Sequence, residues 1–269
     1  MRFAKKFYLA CLIAFLYAPI VILAVFSFNS AKSTGVFMGF SLNWYIKLFQ
    51  NKTIMNALRN TLLIAVCSAF ISTVIGTAAA LGLHFMKKTP RRIALTINQI
   101  PVLNPDIVAG FSLMLMFLFV FKHAGIGTMG FGTLLVAHIT FNLPFVVINV
   151  LPKIRQFDRS LYEAAQDLGA TPAYAFWHIT VPQLLPGIFA GAIFAFTLSL
   201  DDFVVSFFTK GVGDPNLSVY VYSQTAKRGI SPEINALSTI MFAVIITLLF
   251  IVTKQNNKKK KPITKGDAT

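Results

Sequence analysis

The stretch "LLPGIFAGAIFAFTLSLDDFVVSFF", Leu184–Phe208, places two adjacent aspartates in an otherwise uncharged and strongly apolar run. The residues from Leu184 to Leu200 carry no charge. A helix of that length covers about 25 Å at a rise of about 1.5 Å per residue, close to the ~30 Å hydrocarbon core of a bilayer. Isolated carboxylates are costly in hydrocarbon, so a pair at the end of such a run needs a partner or a function.

Five further windows share this apolar character: Tyr8–Phe28, Leu62–Met86, Ile107–Phe121, Phe131–Leu151 and Ala236–Thr253. The short window at Ile107 extends backward through Asp106 and Asn104 to Ile93. The chain is 56% hydrophobic and only 12% charged, against about 25% charged residues in soluble domains. These windows predict an all-α membrane protein of six transmembrane helices. They form one domain over residues 1–253, followed by a basic tail, 254–269, expected to be disordered. The first window is longer than the apolar part of a signal peptide and reads as a retained anchor. Both cysteines, Cys11 and Cys67, sit inside apolar windows and read as small hydrophobes.

Net charge is +15. In a soluble protein this would suggest nucleic acid, but the basic residues sort by loop. Sixteen of the 24 fall at the two termini and in the segments around Lys87–Arg92 and Lys153–Arg159, and eight in the intervening loops. That bias predicts both termini in the cytoplasm, with the excess read as topology and contact with anionic lipid rather than nucleic-acid binding. No G-x-x-x-x-G-K-[ST] phosphate loop occurs, so the chain is not expected to bind ATP or act as an enzyme. The four histidines, His84, His123, His138 and His178, are scattered, and no metal site is expected.

The longest inner loop, residues 152–183, contains "SLYEAAQDLGATPAYAFWHITVPQLLPG", Ser160–Gly187. Ser160 and Glu163 fit a capping box. Gly169 suits the left-handed end of a helix. Thr171 with Pro172 fits the start of a second helix, and Pro182 and Pro186 are expected to stop it before span five. The run Glu163, Ala164, Ala165, then Gly169, Ile179 and Pro182, resembles the EAA loop of bacterial ABC importer permeases, with Val181 where that family usually has Leu. The resemblance implies a type I ABC importer permease-like fold, in the bacterial inner membrane. It also implies that Glu163, Ala164, Ala165, Asp167, Leu168, Gly169 and Ala170 form a coupling helix docking on a homodimeric cytoplasmic ATPase, which binds ATP and Mg.

The stretches "PDIVAG" (Pro105–Gly110), "HITFNLPFVVI" (His138–Ile148), "SLDDFVVS" and "SPEINAL" (Ser231–Leu237) narrow the resemblance to the C-type permeases of spermidine/putrescine importers. That implies a second, homologous permease and a periplasmic polyamine-binding protein as partners. Residue chemistry agrees, because a polyamine is a multivalent cation and every acid embedded in the spans is an aspartate: Asp106, Asp201 and Asp202. Successive helical positions point about 100° apart, so the two carboxylates cannot both face a cavity. One is expected to meet substrate and the other to be held by Ser199, a backbone group or the partner permease. A competing reading ends span five at the pair, with "FVVSFF" as a separate re-entrant piece. Asp106 reads equally as a helix cap or a substrate contact, and Trp44 as an interfacial anchor or a cation–π face. The nearest rival reading keeps the ABC permease class and carries another small cationic or organic solute; an ion-coupled secondary transporter is the rival of a different class, and it has no use for an EAA loop.

Overall fold

A computed structural model describes residues 2–31, 36–125, 127–213, 216–229 and 231–259. In chain order the helices are α1 (Arg2–Ser27), α2 (Asn43–Gln50), α3 (Lys52–Phe85) and α4 (Lys88–Leu103). Then come α5 (Asp106–Ala124), α6 (Phe131–Arg155), α7 (Arg159–Asp167) and α8 (Pro172–Ala175). A π-helical turn, Phe176–Thr180, leads into α9 (Val181–Asp201). The last three are α10 (Val204–Thr209), α11 (Leu217–Arg228) and α12 (Pro232–Lys259). One isolated antiparallel bridge, Asn29 with Phe40, lies outside the helices.

Five helical segments among the described residues are long and apolar enough to cross a membrane: Lys5–Ser27, Lys52–Phe85, Asp106–Ala124, Phe131–Arg155 and Pro172–Asp201. The sixth expected span, Ala236–Thr253, falls inside α12, and its last part lies outside the residues whose side chains are described. The expected tail begins within α12, and from 260 onward it lies outside the described residues.

The chain divides into two compact units. In the first, Met1–Met55 with Val221–Thr269, α12 packs on α1 and α2. After the first apolar window comes a short helix, α2, which buries Trp44 and Leu48. The Trp44 indole N–H donates to the Asn29 carbonyl at 2.6 Å, and the Tyr45 hydroxyl lies 2.7 Å from that of Ser27. Asn51 donates to Glu233 at the start of α12, at 3.0 Å.

In the second unit, Asn56–Tyr220, α6 packs along α9, and α10 packs against α5 and α6. Its core holds Ala69, Ala80, Val146, Val147, Val150, Leu184 and Ala195. Lipid is as apolar as leucine, so helices in a bilayer associate through close packing, for which small residues are needed. Val146 of α6 shows this directly. A β-carbon on Gly76 of α3 would come within 2.7 Å of Val146 Cγ1, and one on Gly191 of α9 within 3.4 Å of the Val146 backbone.

Three sequence expectations are corrected. Span three is not one helix from Ile93, because α4 ends at Leu103 and α5 begins at Asp106. Pro105 cannot donate a backbone hydrogen bond and pushes Asn104 into extended geometry (ψ 142°). Pro182 and Pro186 do not stop the second loop helix, which runs into span five as α8, the π turn and α9. Proline lacks an N–H and crowds the carbonyl four residues earlier. The wider π turn, where the Val181 N–H reaches the Phe176 carbonyl, adjusts the ladder just before Pro182. The residues after Lys210, which fall outside every apolar window up to Ala236 and so read as loop, contain a twelve-residue helix, α11.

Gly76→Leu is expected to destabilise the protein by about 1–3 kcal/mol, read as a lower thermal unfolding midpoint in detergent. Gly76→Ala is expected to cause a smaller loss of the same sign, because its β-carbon would still meet Val146 Cβ at 2.8 Å. A Gly76→Leu protein as stable as its parent would contradict the close approach of α3 and α6.

Candidate functional site

Span five ends inside the aspartate pair. Asp201 is the last residue of α9, Asp202 is extended (φ −65°, ψ 122°), and α10 begins two residues later. The Asp202 carboxylate turns back over the start of α10, accepting the backbone N–H groups of Val205 at 3.2 Å and Ser206 at 2.7 Å. These are amides that a helix start leaves without partners. The Asp202 side chain is 6% exposed, whereas Asp201 is exposed. The pair is therefore divided by the break into one inward and one outward carboxylate. Of the holders expected for the second acid, backbone groups are the ones that Asp202 finds. The break matches the competing expectation that "FVVSFF" forms a separate piece.

His138 of α6 meets Asp202 from the other side, with Nε2 3.5 Å from Oδ2. The same nitrogen lies 2.9 Å from the Ser206 hydroxyl, and Nδ1 lies 2.6 Å from the Ser199 hydroxyl of α9. Ser68 of α3 donates to Ser199 at 3.1 Å, and Asn142, one turn beyond His138 on α6, donates to Ser68 at 3.4 Å. Asn216 donates to Ser206 at 2.6 Å. A neutral imidazole with its proton on Nε2 satisfies this set: Ser199 donates to Nδ1, and Nε2–H donates to Ser206 with the Asp202 carboxylate 3.5 Å away. Asn142 Oδ1 is buried with no hydrogen-bond partner. Among the described residues no Lys or Arg pairs with Asp202, so its charge is met by amide and imidazole dipoles alone.

The other residues named from sequence lie as follows. Ser199 is buried in this network and bonds His138 and Ser68 rather than Asp202. Asp106 is exposed in the first turn of α5, where its charge suits the helix dipole, and makes no side-chain cap bond. One turn on, a β-carbon on Gly110 would lie 3.2 Å from Val205 Cα, so this part of α5 packs directly on α10. Trp44 belongs to the first unit. It is buried with its N–H bonded, and Lys47 Nζ lies 4.6 Å from its ring centroid.

The sequence shows His138 only as one of four scattered histidines, and no motif in it sets Ser68, Asn142, Ser206 or Asn216 apart as site residues. The signal available was the spacing of His138 and Asn142, four apart and hence on one helix face inside an apolar window.

The EAA loop folds as two short helices. Asp158, not Ser160, caps α7: its carboxylate accepts the Ser160 N–H at 3.0 Å and the Ser160 hydroxyl at 2.7 Å. The capping box expected between Ser160 and Glu163 is therefore absent. Glu163 lies too far into the helix to reach its start, and instead pairs with Arg159 at 2.9 Å. Gly169 has φ +89° and ends α7 as expected, with the Gly169 N–H on the Gln166 carbonyl and the Ala170 N–H on the Ala165 carbonyl. Thr171 accepts the Tyr174 N–H, with Pro172 opening α8. The resulting tip is apolar and open: Leu168 is 90% exposed, and Ala165, Leu168, Ala170 and Tyr174 line a shallow hollow.

Residues 72–261 match the family model for the binding-protein-dependent transport system inner membrane component. The chain belongs to that family. Among curated relatives, this permease is 40% identical over 242 residues to the putrescine transport system permease protein PotI of Escherichia coli (strain K12), covering 88% of this chain and 85% of the relative. It is 36% identical over 258 residues to the spermidine/putrescine transport system permease protein PotC of Haemophilus influenzae, covering 95% and 98% of the two chains. The permease also superposes on a chain of a bacterial ABC transporter that imports the acidic polysaccharide alginate. There the TM-score is 0.73 at 19% identity, over 97% of this chain and 96% of that one, a likeness of fold. The permease is thus an all-α, multi-pass membrane protein of the ABC importer class.

The two bonds from Ser160, hydroxyl first and then backbone N–H, hold the exposed Asp158 carboxyl below its ordinary value of 3.8. A depressed folded value means that the cap stabilises α7 fully above the ordinary range and is lost as pH falls through the lowered value. Asp158→Ala is expected to speed amide exchange at Ser160 at neutral pH. In the parent chain the same acceleration is expected only on acidification below the ordinary carboxylate range.

Proposed function

We propose that this chain is a transmembrane permease subunit of an ATP-driven polyamine importer, taking putrescine or spermidine from a periplasmic binding protein. It shares the pathway with a second, homologous permease. A separate homodimeric ATPase binds ATP and Mg and drives the change of access. The observation that carries the reading is Asp201: an exposed carboxylate at the end of a helix with no other charge. A di- or polyammonium chain on an aliphatic spine fits an apolar wall interrupted by a lone anion, and an anionic cargo does not. The permease relatives named for putrescine and spermidine support the same cargo class.

In this reading Asp201 contacts the passing ammonium, with Asp106 as a second acidic group on the path. Asp202 and Ser199 shape the wall behind them, and Trp44 anchors its own unit. The segment Glu163–Ala170 docks on the ATPase on the cytoplasmic side, with both termini on that side. Leu168 supplies its most exposed apolar surface, while Ala164 and Ala165 allow a close approach.

Uptake of labelled putrescine and spermidine by proteoliposomes holding the assembled transporter tests the cargo, and failure to import either overturns it. Asp201→Asn is expected to lower kcat/KM at least about tenfold, the scale of one lost charge-assisted contact. Asp202→Asn is expected to act more weakly, because an amide oxygen still accepts from Val205 or Ser206. Full uptake by Asp201→Asn would remove the carboxylate from the path.

Gly169→Val forces a β-branched residue into a left-handed conformation, at a cost of about 1–2 kcal/mol. It is expected to reduce ATPase retained on purification and to uncouple hydrolysis from uptake, with Gly169→Ala milder. Unchanged co-purification and coupling would place the docking segment elsewhere.

A further inference from the structure

His138 touches both sides of the break in span five. Its Nδ1 faces Ser199 of α9 at 2.6 Å, and its Nε2 faces Ser206 and Asp202 of the α10 side at 2.9 and 3.5 Å. The ring is 2% exposed, so it meets no substrate itself. Its span-facing neighbours are fixed in turn by Ser68 and Asn216. We propose that His138 is a positioning residue for the cation path: it holds Asp202 inward across the α9–α10 break and so leaves Asp201 as the carboxylate open to substrate. The inference rests on the reading of Asp201 as the polyamine contact.

The physical reason is the competition between two neighbouring acids. An aspartate with only the α10 amides as partners can swing outward, where it would bind an ammonium in a different place from Asp201. The Nε2–H of His138 donates to Ser206 within the wall and keeps its positive edge 3.5 Å from the Asp202 carboxylate, and the Ser199 bond fixes the ring angle from which that edge points. A rigid imidazole can reach α9 and α10 at once because its nitrogens lie on opposite edges. No shorter or more flexible side chain fills both places.

Two amides separate these roles. His138→Asn keeps a polar group near Nδ1, facing Ser199, and loses the contacts with Ser206 and Asp202. His138→Gln places its amide near Nε2 and keeps the α10 side. The readouts are KM and Vmax for putrescine uptake by the reconstituted transporter, with amide exchange across residues 203–209.

His138→Asn is expected to raise KM about fivefold to tenfold, the scale of one buried hydrogen bond, with Vmax and complex yield little changed. The amides of Val205 and Ser206 are expected to exchange faster in the same variant. His138→Gln is expected to resemble the parent in both. If His138→Asn does not assemble, Ser199→Ala removes the hydroxyl that fixes the ring angle and carries a rise in KM in the same direction. Equal behaviour of the Asn and Gln variants, or faster exchange with KM unchanged, overturns the proposal. If the parent imports neither polyamine, the cargo reading fails by itself. The exchange contrast between the two variants then decides whether His138 holds Asp202, and equal exchange overturns that hold.

Discussion

Hydrocarbon offers a polypeptide no hydrogen-bonding partner, so a helix that breaks among apolar spans must find donors and acceptors within the protein. The break between α9 and α10 meets this condition through one side chain on each side. Asp202 takes the amides that open α10, and His138 brings a donor from α6 to the same place. Around them Ser68, Ser199, Ser206 and Asn216 join four segments of the chain. Without that network a carboxylate would be buried with only part of its hydrogen-bonding capacity met, at a cost of several kcal/mol. The network is what lets a charged, irregular turn exist in this wall.

The packing around it follows the same constraint. Because exclusion from water does not drive helices together inside a bilayer, close backbone contact must. Glycines on α3 and α9 bracket Val146, and Gly110 brings α5 onto α10. The polar network therefore sits in a frame held at backbone distance, in which a rotation of α6 would move His138 relative to both of its partners.

Apolar windows alone revealed the fold class, because runs of uncharged residues have no other use at such length. Breaks inside the windows were less legible. Asn104–Pro105 sits between two good helices, and only the restricted geometry before proline marks it. Pro182 and Pro186 signalled a stop that the π turn cancels, an outcome fixed by hydrogen-bond geometry rather than residue type. "LSVYVYSQTAKR" was missed as α11 because it is only moderately apolar and follows a glycine- and proline-containing loop. At the site, the aspartate pair was plain from charge alone, but its division needed His138, Ser199 and Ser206, which lie up to 68 positions apart in sequence. In the EAA loop, Gly169 and Thr171 behave as their types predict. Asp158 displaced Ser160 as the cap simply by standing two residues earlier.

The π turn at Phe176–Thr180 has a geometric consequence of its own. From Pro172 to Asp201 the backbone is one uninterrupted helical rod of 30 residues, about 45 Å long. Its two ends share a single angular phase, which the one extra residue in the wide turn sets. Removing a residue there would leave both flanking helices intact yet turn the EAA loop by about 100° relative to Asp201. The turn thus acts as an index mark, fixing which face of span five is presented whenever the loop is held.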